Sequence, residues 1–145
     1  NGTYFVQRFQ ETEPWAYLNG QISREEYITK CRPEYPLIQY INKNTPQNAR
    51  ILAIFMGERR YYFDRDVTFN EGLLLHAIKK AVNSDEIDSF LKDSGITSVL
   101  IRMEIFQKCL VNNLTADEIK RFKTFWKAHT RKIAARGTYA LFAMH

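Results

Sequence analysis

Glycine is scarce in this chain, and none of its six glycines forms a phosphate-binding pattern. The apolar run 51–56 is followed by Gly57 alone. The backbone nest that cradles a dinucleotide pyrophosphate, G-x-G-x-x-G, is therefore missing. A Walker-type G-x-x-x-x-G-K-[ST] is missing too, so nucleotide binding by either device is excluded. No run of about 18 apolar residues occurs, so no segment reads as a transmembrane helix. Histidine is limited to His76, His129 and His145, with no clustered carboxylates at metal-ligand spacing. Cys31 and Cys109 have no metal-type spacing either. They read as two buried thiols or, in an oxidising compartment, a long-range disulfide. No serine lies in a G-x-S-x-G elbow. Cys109 falls on the inward side of a helical pattern, where a thiol acts as a small hydrophobe. Composition and motifs thus assign no catalytic residue, no metal site and no cofactor.

What is present fits a folded domain. Of 145 residues, 45% are hydrophobic and 26% charged, enough apolar material for one core. The net charge of +5 favours acidic partners weakly. Lys120, Arg121, Lys123, Lys127, Arg131 and Lys132 interleave with Phe122, Phe125 and Trp126. At helical spacing the aromatics face one way and the lysines the other. That is a surface amphipathic helix and not a platform for stacking bases, so nucleic acid is not the expected partner. Asn1-Gly2-Thr3 and Asn113-Leu114-Thr115 match the N-glycosylation pattern, which matters only in a eukaryotic secretory setting. The chain opens on Asn1, without a methionine or signal peptide, and is expected to be a piece of a longer one.

The order of elements points to an α/β fold. Pro14 opens a short helix ended by Asn19-Gly20, and Ser23-Arg24-Glu25-Glu26 is a capping box for another. Tyr35, Leu37, Ile38, Tyr40 and Ile41 give an amphipathic helix closing at Asn42-Lys43-Asn44, and Pro46 marks a turn. The run 51–56 suits a strand buried on both faces. Strands are also expected at 67–69, 96–101, 132–135 and 138–144, the last two around Arg136-Gly137 as a hairpin. Helices are expected at 71–82, from a Ser84 cap to Gly95, at 103–114, and from the capping box Thr115-Ala116-Asp117-Glu118 onward. Strands alternating with helices predict a three-layer sandwich with a Rossmann-like, mostly parallel sheet and a C-terminal antiparallel hairpin. Residues 1–45 would be a helical preamble and 46–145 the core of one packed body.

The leading site candidate is the charged, aromatic stretch after the first strand: Glu58, Arg59, Arg60, Tyr61, Tyr62, Asp64 and Arg65. Guanidiniums beside phenols at a strand's carboxyl end can grip a phosphate or stack on a sugar. The competing reading is a brace: the tyrosines pack under the sheet edge while Arg59 and Arg65 pair with Glu58, Asp64 or Asp66.

Residues 23–66 also carry a resemblance. R-E-E-Y-I is followed by P-E-Y-P-L-I-Q-Y-I-N-K-N-T-P-Q-N-A-R-I-L-A-I-F, then E-R-R-Y-Y-F-D-R-D. The order resembles the soluble C-terminal region of bacterial polytopic membrane glycosyltransferases, similar to the dolichyl-phosphate-mannose protein mannosyltransferases and aminoarabinose transferases. A later G-I-T-S-V-L-I strand and the closing hairpin continue it. The resemblance implies a parent with many transmembrane helices, a polyprenyl-phosphate-linked sugar as donor, and an extracytoplasmic (periplasmic) place for this domain. It implies no catalytic residue here, because the family's catalytic acids lie between early membrane helices. The partners it implies are the membrane-embedded part of the same chain and a lipid-phosphate sugar or acceptor. The alternatives are a free-standing module binding an anionic or sugar ligand, and a small soluble enzyme.

Overall fold

The computed structural model describes residues 32–57 and 60–145, with Tyr61 as backbone only. The helices expected at 14–18 and 23–30, and Cys31, lie outside the described residues. The chain divides into two units, Asn1–Pro36 and Leu37–His145, and nearly all the described residues belong to the second.

Its elements are helix α1 (Tyr35–Asn44), β1 (Arg50–Ile54), a 3-10 turn (Arg60–Tyr62), β2 (Asp66–Phe69), α2 (Glu71–Lys80), α3 (Ser84–Asp93), β3 (Ser98–Arg102), α4 (Met103–Asn113), α5 (Ala116–His129), β4 (Thr130–Arg136) and β5 (Tyr139–Met144). The fold is α/β, with one open, mixed, five-stranded sheet in the order β2-β1-β3-β5-β4. β1 pairs in parallel with β2 and with β3, while β5 is antiparallel to both β3 and β4. Parallel and antiparallel pairings are thus equal in number. Four of the five strands run in one direction, and the antiparallel pairings equal the parallel ones because β5, the one reversed strand, lies between β3 and β4 instead of extending the sheet at the rim.

β1 has the two-sided burial its unbroken apolar run requires. Leu52 and Ile54 join a cluster with Val99, Ile101, Ala140 and Phe142 and with residues of α2 to α5, including Leu74, Ile78, Ile87, Leu91, Phe106, Phe122 and Phe125. Ile51 and Ala53 join the other cluster, with Leu37 and Ile41 of α1, Val67, Leu100 and Leu141. Successive strand side chains point to opposite faces, so this split follows directly from the period of two. Each such Ile or Leu, fully withdrawn from water, contributes about 1.5–3 kcal/mol.

The helix ends follow local chemistry. Thr115 and Glu118 form the expected reciprocal capping box. α3 ends in a Schellman motif: Gly95 N–H donates to Lys92 O and Ile96 N–H to Leu91 O. Gly95 has φ +83°, and a Cβ there would come within 2.8 Å of the Arg50 guanidinium. The expected Ser84 cap moves by one residue. Asn83 is the N-cap and accepts from Glu86 N–H at 3.0 Å, while the Glu86 carboxylate reaches back to Val82 N–H. Asparagine caps as well as serine, and Glu86 is correctly spaced for an Asn83 cap. α2 stops at Lys80 because Ala81 is already extended. Gly137, at φ +58°, is the first central residue of the two-residue β4–β5 turn, the position where a type II′ hairpin needs glycine.

Candidate functional site

The chain leaves β1, steps outward to β2, and then crosses back to place β3 on β1's other side. A reversal of this kind opens a crevice beyond the carboxyl ends of the strands, where open α/β sheets tend to hold ligands. Four connections converge there: residues 55–57 after β1, 70–71 after β2, 102–104 at the β3–α4 junction, and the hairpin tip at 137–138.

The β1 exit is strained. Phe55 has φ +59°, the only non-glycine in that region among the described residues, and Gly57 follows at φ +68°. A left-handed backbone costs an L-residue roughly 1–2 kcal/mol. Two contacts hold Phe55 there. Its N–H donates to Glu71 Oε1 at 3.0 Å, and its ring packs against the larger core cluster. Glu71 opens α2, so its carboxylate also suits the positive end of that helix. At the next strand, Arg102 ends β3 and α4 starts at once. Met103 N–H donates to Thr138 O at 2.7 Å, fastening the hairpin tip to this end of the sheet. The Arg102 guanidinium pairs with Glu104 Oε1 at 2.9 Å and lies 5.8 Å from the Tyr139 ring centroid. The two side chains are 38% and 49% exposed, so incoming solute can compete for either.

Of the stretch singled out from the sequence, the described residues 60–65 lie between the β1 exit and the start of β2. Glu58 and Arg59 lie outside the described residues, as does the Tyr61 side chain. Arg60 donates to Val67 O at 2.6 Å and covers the Phe69 ring at 5.3 Å. It thereby shields β2, which has one strand neighbour among the described residues and is an edge of their sheet. Tyr62 presents its carbonyl to Asn42 Nδ2 at 3.0 Å, and Asp64 N–H donates to Asn42 Oδ1 at 2.8 Å. Arg65 is 8% exposed and donates from Nη2 to Asn42 O at 2.8 Å and to Thr45 O at 2.9 Å. These carbonyls belong to the last turn of α1 and the residue after it, so the guanidinium closes the negative end of that helix. Arg65 Nη1 takes the Asp64 carbonyl, and Nε has no partner among the described residues. Arg65 therefore binds backbone and not the expected carboxylates. Asp66 is taken by Arg50, at 2.9 Å. Arg60, Tyr62, Asp64 and Arg65 thus hold structure through the contacts they make.

Phe55, Glu71, Arg102 and Glu104 escaped the sequence reading. Phe55 looked like one more member of an apolar run, and Arg102 like the polar end of a strand. The signal that could have found them is positional: Phe55 stands at the carboxyl end of β1 and Arg102 at that of β3, but that β1 and β3 are neighbours is a tertiary fact.

Other polar groups are local. His76 is exposed and not the core or half-buried histidine its apolar helix suggests, with its ring centroid 5.6 Å from that of Phe90 on the α2–α3 side. Cys109 is a free thiol, half-buried, 3.5 Å from Asn113 Nδ2. Glu118 is held below the usual carboxylate range, chiefly by the Thr115 backbone N–H donating to it. Among the described residues no group of three or more His, Cys, Asp or Glu could hold a metal ion. Nor is any helix among them long and apolar enough to cross a membrane. No family model, curated protein or solved structure was found to match the chain.

Proposed function

We propose that this chain is an extracytoplasmic accessory domain of a membrane glycosyltransferase that uses a polyprenyl-phosphate-linked sugar. The observation that carries the reading is the order of segments in the sequence. A helix ends in Tyr40-Ile41-Asn42, a Pro46 turn leads to a strand buried on both faces, and an Arg-Tyr passage, a G-I-T-S-V-L-I strand and a hairpin follow. In this reading the fold is a three-layer, Rossmann-like sandwich. Its support is that the sheet's alternate residues enter two separate clusters, one with α1 and one with α2 to α5. The domain braces or covers the membrane-embedded catalyst and supplies no catalytic group of its own. The test is the open reading frame: several apolar spans of about 20 residues upstream of Asn1 are expected. A frame that starts near Asn1 overturns the reading.

A second reading, a binding module for an anionic or sugar ligand, is favoured by one observation. The strained Phe55 stands at the strand reversal, and strain of this kind persists where surrounding structure enforces it, commonly at ligand sites. Titration with a sugar phosphate, followed by amide NMR, should shift resonances at 55–57, 71 and 102–104. Shifts confined to other regions, or none, remove it.

A further inference from the structure

We propose that the outer side of α5, together with the α2–α3 turn, docks on an anionic phospholipid surface. Lys120, Lys123 and Lys127 are all exposed, and their spacing of three and four residues lines them along one ridge of the helix. The opposite side of α5 is committed to the core through Phe122 and Phe125, with Trp126 packed on Phe142 at 4.5 Å between ring centroids. Arg121 turns sideways and donates to Ile78 O at 3.1 Å, tying α5 to the end of α2. Lys79 and Lys80 close α2 and bring two further cations to that flank.

Next to the ridge lies a shallow groove of about 260 Å³, with Lys120 and Thr124 on one wall and Val82 and Ser84 on the other. Val82 is 78% exposed, and the Val82 N–H is held by Glu86, so the residue is presented on a fixed turn. An apolar side chain standing beside lysines suits a bilayer interface, where the ammonium groups meet lipid phosphates and the apolar group enters the headgroup boundary. The acids nearby are largely engaged: Asp85 with His129 at 3.0 Å, Glu86 with Val82 N–H and Glu118 with Thr115, leaving Asp117 in the groove. None stands between the ridge lysines. A nucleic acid would ask for exposed aromatics to stack on, and those of α5 are turned inward.

The inference concerns the isolated chain and does not need the glycosyltransferase reading. A reading frame starting near Asn1 would remove that reading and leave vesicle binding intact. The test is co-sedimentation of the chain with phosphatidylglycerol-containing vesicles and with pure phosphatidylcholine vesicles, at low and high salt. Binding is expected to the anionic vesicles only, and to fade with salt. Each lysine near such a surface is worth about fivefold in affinity, so the triple variant Lys120→Gln/Lys123→Gln/Lys127→Gln should bind about a hundredfold more weakly with an unchanged Tm. Val82→Asp should weaken binding further. Equal binding to both vesicle types, or a triple variant that binds like the parent, overturns the proposal. So does single-stranded RNA binding that needs the same lysines while vesicles are ignored.

Discussion

At the amino end of the sheet the arginines tie distant segments together; at the carboxyl end Arg102 forms its ion pair with a near neighbour in sequence. Arg50 joins three segments there, bonding Asp66 at 2.9 Å and Ser94 O at 3.1 Å, while its backbone N–H donates to Thr97 Oγ1 at 3.0 Å. Arg65 is buried and closes α1. The carboxyl end has an exposed Gly57, a strained Phe55, and an Arg102 whose carboxylate partner sits two residues along its own chain. The first end resembles a fastening, built from side chains that satisfy otherwise unpaired carbonyls. The second keeps its charge where solvent can reach it, which is what a contact surface requires. The same residue type therefore serves two ends, and the reach of its contacts decides the role: Arg50, at 46% exposure, is no more buried than Arg102 at 38%, but its partners lie on other segments.

The largest effect should come from Arg65→Ala. It leaves the carbonyls of Asn42 and Thr45 without their buried donor, and should lower stability by about 2–4 kcal/mol in urea unfolding. A loss below about 1 kcal/mol would break the contrast. Gly95→Ala comes next, at about 1–2 kcal/mol, because φ is +83° and Arg50 crowds the site. Pairing it with Arg50→Ala in a double-mutant cycle would show how much of the cost is the collision. Thr115→Ala, at a helix start remote from the β1 exit in sequence, should cost about 1 kcal/mol and sets the scale of an ordinary cap. The Glu118 half of that cap is pH-dependent. Its folded-state pKa is lowered, so its contribution is fully present above the range where an unfolded glutamate titrates, and is lost as pH falls through the lowered value. Comparing the parent with Glu118→Gln across acid pH checks the sign. Arg102→Ala should have the smallest effect on stability, under about 0.5 kcal/mol, since its ion pair is exposed. Under the ligand-binding reading it should nevertheless abolish the NMR shifts at 102–104.

Much of this was legible before any coordinates. The Thr115 box, the Gly95 stop, the Gly137 turn and the doubly buried strand, expected over 51–56 and ending at Ile54, all depend on neighbours within a few residues, where propensity and spacing act directly. The site candidates fared differently. The Arg-Arg-Tyr-Tyr stretch has the composition of a ligand grip, yet Arg65 reaches 20 residues back to Thr45 and 23 back to Asn42, a contact that no local pattern announces. Tertiary placement also produced the Phe55–Glu71 and Met103–Thr138 bonds, and with them a candidate crevice.

The kinds of elements, most of their ends, and the residues that must leave water follow from hydrophobic period and from backbone groups close along the chain. The place of β5 between β3 and β4, the even division of pairings between parallel and antiparallel, and the burial of Arg65 arise only on folding. Those outcomes depend on which distant surfaces meet. A guanidinium is driven into the fold only where several carbonyls from other segments converge to receive it.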